Sequence, residues 1–249
     1  MSYTHYASLK GKTVIVTGGA SGIGEAFVRA FAENGAKVGF LDLQKDVGAA
    51  LAAEVGARFV PCDLTDVTAL QRALEELQGA LGPAAVLVNN AANDQRQDFL
   101  AVTEKEFDWM IAVNLRHVYF AAQAVVPWMQ SRGGGSIINL SSVAWMRGIE
   151  DLEAYTAAKA AIVGFTNSLA QRVGRDRIRV NAIAPGMVLT DRQLKLWFQD
   201  ESKIAAGLAR QCLPDRLLPP EIANMALFLG ADDSRMITKQ CFSVNAGIY

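Results

Sequence analysis

Thr13-Val14-Ile15-Val16-Thr17-Gly18-Gly19-Ala20-Ser21-Gly22-Ile23-Gly24 runs from a continuous, β-branched apolar stretch through a glycine cluster into a helical pattern. A turn this tight between a strand and a helix needs glycine. Its backbone angles are closed to other residues, and main-chain amides must come close to a pyrophosphate at the helix N-terminus. The strand-turn-helix setting therefore predicts a nucleotide site at this turn. Three residues separate Gly18 from Gly22, so the spacing departs from GxGxxG.

Outward from the turn, further β-branched apolar runs recur at Lys37-Leu41, Arg58-Cys62, Ala85-Val88, Ser136-Leu140, Arg179-Ile183 and Gln240-Val244. They are continuous rather than alternating, as in strands buried on both faces. Helical patterns lie between them at Ile23-Asn34, Lys45-Val55, Val67-Leu81, Glu104-Gln130, Leu152-Val173 and Pro220-Leu229. The alternation predicts an α/β chain with a seven-stranded parallel sheet, doubly wound in the Rossmann manner, with helices on both faces. No linker or repeat divides residues 1–249, which read as a single domain for cofactor binding and catalysis. The long connection Met187-Leu218 breaks the rhythm and is expected to form a lid over the substrate. In such sheets the ligand sits beyond the carboxyl ends of the strands, so residues just after strands matter most.

Composition excludes several other classes. The chain has 249 residues, 24 Lys+Arg against 25 Asp+Glu, and 51% hydrophobic residues, too apolar for disorder and too balanced in charge for a nucleic-acid or anionic-membrane footprint. No apolar stretch is long enough for a membrane span, and the first ten residues have no secretory pattern. Cys62, Cys212 and Cys241 show no CxxC spacing and leave one over, so neither a disulfide framework nor a metal site is expected. His5 and His117 are isolated and are not expected to bind metal. A reduced, cytoplasmic location is the expectation.

The Gly18–Gly24 turn, Asn89-Asn90-Ala91-Ala92 after the fourth strand, Asn114, Ser142, Tyr155-Thr156-Ala157-Ala158-Lys159 and Asn181-Ala182-Ile183-Ala184-Pro185-Gly186 form an ordered set along the chain. In this set the chain resembles the short-chain dehydrogenase/reductase family over essentially its whole length. The resemblance implies a nicotinamide cofactor held by Gly18, Ser21, Gly22, Ile23, Gly24 and Leu64, with Asp63 at the adenine and Asn90 beside the nicotinamide ribose. It places Thr190 and the backbone of Val188 at the carboxamide, and adds Pro185, Gly186, Tyr155 and Lys159 to the residues that bind the cofactor. Asp42 ends the second strand about 20 residues past the turn, where a carboxylate can accept from a ribose diol. A 2′-phosphate there would meet a like charge, costing on the order of 1–4 kcal/mol at ~4 Å, so NAD is expected over NADP. The pattern departs from the family at Ala92, where glycine is usual, and at Thr238-Lys239-Gln240 and Asn245-Ala246-Gly247, where TGQ and DGG are usual.

Tyr155 and Lys159, four residues apart, share one helix face, and Ser142 arrives from a strand end. The resemblance makes these residues the catalytic set, with Asn114 carrying a proton-relay water to Lys159. A phenol has a pKa of ~10, so a base working near neutrality must be lowered by about 3 units, roughly 4 kcal/mol. One ammonium at ~4 Å supplies about that much at an effective dielectric of ~20.

The loops after the fourth, fifth and sixth strands mix amides, carboxylates and guanidinium groups with tryptophan, as the hydroxyls and apolar face of a pyranose require. Asn93, Ser142, Trp145, Tyr155, Met187 and Gln193 are the expected substrate contacts, with Trp145 under the sugar ring. Asp94, Arg96 and Arg192 read equally well as surface ion pairs. The segments Asn89–Arg96, Ser141–Trp145, Thr190–Phe198 and Ala209–Leu213 resemble the bacterial aldose 1-dehydrogenase branch of the family, which oxidises sugars to lactones. The resemblance also implies a homotetramer built on the long helices. The alternatives are an apolar secondary alcohol or ketone, a steroid or a 3-oxoacyl thioester as substrate, or a non-catalytic nucleotide-sensing scaffold.

Overall fold

The structure, a computed structural model, describes residues 3–248. In chain order the elements are β1 (Thr13–Thr17), α1 (Gly22–Glu33), β2 (Lys37–Asp42), α2 (Lys45–Val55), β3 (Arg58–Pro61), α3 (Val67–Leu81), β4 (Val86–Asn89), α4 (Glu104–Ile111), α5 (His117–Ser131), β5 (Gly135–Leu140), α6 (Ala144–Arg147), α7 (Glu153–Val173), β6 (Ile178–Pro185), α8 (Asp191–Leu196), α9 (Glu201–Leu208), α10 (Pro219–Gly230) and β7 (Cys241–Val244). The seven strands form one sheet in the order β3-β2-β1-β4-β5-β6-β7, every neighbouring pair parallel.

Successive residues of the central strand feed opposite cores. Val14 and Val16 pack with Phe27 and Phe31 of α1 and with Ile222 and Leu227 of α10. Ile15 between them packs with Leu70 and Leu74 of α3 and Val125 of α5 on the other face. Both faces are dry, which is why the strands read as unbroken apolar runs. Each fully buried side chain of this kind contributes about 1.5–3 kcal/mol.

Helix starts follow local chemistry. Asp66 accepts from the amides of Thr68 and Ala69 at the head of α3, and Thr103 with Glu106 forms a capping box at α4. The side chain of Ser21, before α1, makes no such bond, so the first amides of α1 stay open.

The long helix expected over Glu104-Gln130 is interrupted. Residues Ala112–Arg116 form a π-helical turn between α4 and α5. Asn114 in that turn is fully buried and its amide reaches out of the helix to the backbone of Asn93; π-helical turns of this kind often mark functional sites. The connection after β6 carries the short helices α8 and α9, and Leu189 donates to the Leu217 carbonyl at 2.9 Å, fastening its two ends together.

Near β7, Lys239 and Ala246 adopt left-handed backbone angles, φ +65° and +53°. These are positions where the family pattern has glycine, and side chains there strain the backbone.

Candidate active site

The order of the sheet reverses between β1 and β4, and a cleft of about 1210 Å³ opens beyond the strand ends there. At its floor is the glycine turn. Gly18 has φ +64°, and a methyl group at Gly24 would stand 1.7 Å from the Gly18 carbonyl oxygen, so no larger residue fits either place. The Gly18 amide donates to Leu41 at 2.7 Å, and the Asn90 amide donates to the Gly18 carbonyl at 2.8 Å. The turn is thus tied to the ends of β2 and β4, with the open N-terminus of α1 facing the cleft.

Asp42 is buried at the rim of the turn. One carboxylate oxygen accepts from the Ala20 amide at 2.9 Å and the other from the Gln44 amide at 3.0 Å. Gln44 in turn donates to the Ser21 hydroxyl at 3.0 Å. Lys45, the nearest basic residue in sequence, does not line the cleft. Asp63 and Leu64 line it further along, and one Asp63 oxygen holds both the amide and the hydroxyl of Thr65. The cradle, the open helix end and the acidic rim fit a dinucleotide, and Pro185, Gly186, Val188 and Thr190 close the opposite wall.

Ser142, Tyr155 and Lys159 line the same cleft. Lys159 is 2% exposed and donates to the Leu140 carbonyl at 2.8 Å, while its nitrogen lies 5.6 Å from the centroid of the Tyr155 ring. Burial pushes the Tyr155 phenol up to about 12, against an opposing interaction with the Ser142 hydroxyl, and the Asp94 charge adds to the rise. Burial lowers Lys159 to about 7, partly countered by Asp94. The expected lowering of the phenol is therefore not a property of the protein alone. Desolvation dominates for both groups and favours their neutral forms.

Below Lys159 lies His117, fully buried. Its Nε2 sits 3.1 Å from the Ala91 carbonyl and its Nδ1 has no hydrogen-bond partner among the described residues. Burial, aided by the Lys159 charge, lowers this imidazole to about 3, so the ring is neutral. Asn114 does not line the cleft. Its amide donates to Met110 and Asn93 and its carbonyl accepts from the Asn93 amide, so its side chain anchors the loop after β4.

Of the expected substrate contacts, Asn93, Met187 and Gln193 reach the cleft and Trp145 does not. This corrects the placement of Trp145 under a sugar ring. Helix α6 is a single turn, and with Arg147 on its cleft side Trp145 is rotated outward, into a shallow depression beside Glu153 and Thr156. The indoles that do face the cleft are Trp109 of α4 and Trp197 at the end of α8. Nothing in the spacing of Trp109 along α4 marks the side it faces. The Arg96 guanidinium covers the Trp197 ring at 4.8 Å. Asp94 pairs with Arg192 at 3.4 Å and accepts from the Gln193 amide, so these residues join the loop after β4 to the segment after β6. Thr190 caps α8 through the Gln193 amide.

A family model described as enoyl-(acyl carrier protein) reductase matches residues 18–249. A probable galactose dehydrogenase of Rhizobium meliloti (strain 1021) is 45% identical, covering 99% of this chain and 98% of that protein. A D-xylose 1-dehydrogenase of Caulobacter vibrioides (strain NA1000 / CB15N) is 44% identical, covering 99% of each. Among solved structures, one described as a short chain dehydrogenase/reductase family protein superposes with a TM-score of 0.87 at 32% identity, covering 96% of this chain and 98% of that one.

Proposed function

The chain belongs to the short-chain dehydrogenase/reductase family of oxidoreductases, which implies a nicotinamide cofactor, and from that premise we propose that it oxidises an aldose sugar at C1 to the lactone, with NAD in preference to NADP. The observation that carries this reading is the meeting of Ser142, Tyr155 and Lys159 in one cleft with the Gly18–Gly24 turn and Asp42. Identity of 44–45% with two sugar dehydrogenases over nearly the full length supports the substrate class.

The turn of Gly18, Ser21, Gly22, Ile23 and Gly24 would hold the cofactor along the cleft, with Asp42 accepting from its ribose and Asp63, Leu64 and Asn90 completing the cradle. Pro185, Gly186, Val188 and Thr190 form the far wall. When bound, an oxidised nicotinamide would supply the hydride acceptor for C1 and a positive charge in the site. Ser142 hydrogen-bonds the sugar's anomeric oxygen and holds it against Tyr155. Tyr155 accepts the hydroxyl proton as general base. Protonated Lys159 lowers the phenol's pKa and so opposes the burial that raises it. Asn114 acts on this arrangement through Asn93, which it clamps from below. Asn93 and Gln193 meet sugar hydroxyls, Met187 and Trp197 the apolar surface.

The whole chain works as one domain, with residues 187–218 as its lid. Support comes from Asp94, which joins that segment to the loop after β4. A homotetramer through the long helices is supported by the exposed aromatic rings of Phe107 and Tyr119. Among the described residues no helix is long and apolar enough to cross a membrane; the cytoplasm is the compartment that suits this enzyme.

The test is a panel of aldoses, apolar secondary alcohols, steroids and 3-oxoacyl thioesters, each with NAD and NADP, followed at the nicotinamide absorbance. Aldoses with NAD are expected to react best, with the lactone as first product. Tyr155→Phe is expected to lower turnover at least about 100-fold while keeping cofactor binding. Rapid turnover of a steroid or thioester with no aldose activity would reject the sugar reading.

A further inference from the structure

The arginines of the cleft fall into two groups. Arg96 covers Trp197, and Arg192 pairs with Asp94. Arg147 and Arg210 are different. Both line the cleft, Arg147 from the end of α6 and Arg210 from just beyond α9, on segments about 60 residues apart that the fold brings to one place. Among the described residues, none of the six ion pairs involves either guanidinium, although Glu150 and Asp151 line the same cleft. Neither side chain has a hydrogen-bond acceptor within the described protein; the backbone of each is bonded, the side chain is not.

The charge of Arg210 reaches Arg147. Partial burial is the first cause that lowers the pKa of Arg147, and the charge of Arg210 is the second. Two like charges lining one half-enclosed space, neither in an ion pair among the described residues, raise the energy of the empty site and lower it when an anion enters. Guanidinium groups present planar paired donors that match carboxylate and phosphate oxygens.

We infer that Arg147 and Arg210 form an anion-binding subsite, so that the aldose oxidised here carries a carboxylate or phosphate group on the carbon farthest along its chain from C1. The inference rests on the reading of C1 oxidation given above and names the substrate class within it. The reaction stays balanced. The C1 hydrogen leaves with its electron pair to the oxidised nicotinamide, the hydroxyl proton goes to Tyr155, and the acidic group passes unchanged into an anionic lactone.

The experiment compares kcat/KM with NAD for galacturonate and glucuronate, for galactose 6-phosphate and glucose 6-phosphate, and for galactose and glucose. One anionic series is expected to exceed the neutral hexoses at least about 10-fold, and which series does so tells carboxylate from phosphate. Arg147→Leu and Arg210→Gln, made separately, are each expected to cut the anion-to-neutral ratio about 10-fold or more, mainly through KM. Arg147→Lys is expected to restore part of it. A ratio is insensitive to a general loss of folded enzyme, and the unmodified enzyme already gives the primary comparison. Neutral hexoses preferred over both anionic series, with a ratio unmoved by the substitutions, would overturn the inference and leave C1 oxidation standing. No activity on any of these sugars, charged or neutral, would overturn C1 oxidation and the inference with it.

Discussion

Lys159 directs its side-chain nitrogen at the Leu140 carbonyl, 2.8 Å away, and stands 5.6 Å from the centroid of the Tyr155 ring. The lysine is thus held in place by the strand end, beside the phenol it serves. With Tyr155 pushed up to about 12 and Lys159 down to about 7, the base form of the tyrosine is scarce at neutral pH and grows as pH rises. Sugar oxidation is therefore expected to climb in kcat/KM from pH 6 to 10. Lys159→Met removes the positive charge beside the phenol and should cut activity at least about 100-fold at about pH 6.5, where the lysine is protonated. The profile is to be measured with C1-deuterated sugar to ensure that the chemical step is observed; a flat profile with a full isotope effect would contradict the assignment.

Asp42 faces the cleft with both carboxylate oxygens already holding backbone amides. On the proposed placement of the cofactor, a 2′-phosphate would meet this carboxylate at a cost of about 1–4 kcal/mol. Asp42→Ala should shrink the NAD over NADP preference by about 10-fold or more, read as the ratio of kcat/KM values. Equal efficiency of the two cofactors with the unmodified protein would remove the basis for this role.

The tryptophans separate two accounts of the sugar pocket. Trp197→Ala removes a cleft-facing indole and is expected to raise KM for the sugar several-fold with little change in KM for the cofactor. Trp145→Ala alters a side chain outside the cleft and is expected to change neither by more than about 2-fold. The opposite order of effects would mean that α6 turns over when substrate binds.

His117 makes acid stability testable. Unfolded, its imidazole takes up a proton below about pH 6.5; folded, it does so only near 3, because it is buried beside Lys159. Between these values the unfolded chain holds the extra proton. The contribution to stability is therefore complete above about pH 6.5 and drains away as pH falls towards 3. His117→Phe should flatten the fall in melting temperature between pH 6.5 and 4.5, measured by calorimetry. A variant with the same slope as the parent would assign the acid sensitivity to other groups.

Lys239 and Ala246 hold left-handed angles that glycine adopts freely. Lys239→Gly and Ala246→Gly should each relieve on the order of 1 kcal/mol of backbone strain, less the entropy glycine adds to the unfolded chain. A rise of about 2–4 °C in melting temperature per kcal/mol is the expected scale. A fall at both positions would show that their side chains hold contacts worth more than the strain.

The legibility of this chain follows from where its forces are local. Helices α2 and α3 have the bounds expected for Lys45–Val55 and Val67–Leu81, because a glycine at Gly56 and a capping aspartate at Asp66 mark their ends within a few residues. The strands stand within a residue or two of the expected runs, since full burial on both faces leaves an unmistakable apolar signal. The π-helical turn was not legible: it accompanies the tie from Asn114 to Asn93, a contact made only after the chain has folded. For the same reason the sequence marked the loop containing Trp145 and Arg147 as substrate-side but gave no means of telling which of the two faces inward. Arg210 lay inside a recognisable segment, yet its meeting with Arg147 depends on where α9 comes to rest.

All seven strands run the same way, so the loops that carry chemistry crowd one edge of the sheet and leave the other edge without catalytic duty. On that other edge the chain turns through Gly56, Gly82 and Gly133, each with open space where a side chain would stand. For anyone who wishes to immobilise this protein, label it or join it to another, these turns are the attachment points: a tag or surface fixed at Gly56 or Gly133 faces away from the mouth through which cofactor and sugar come and go.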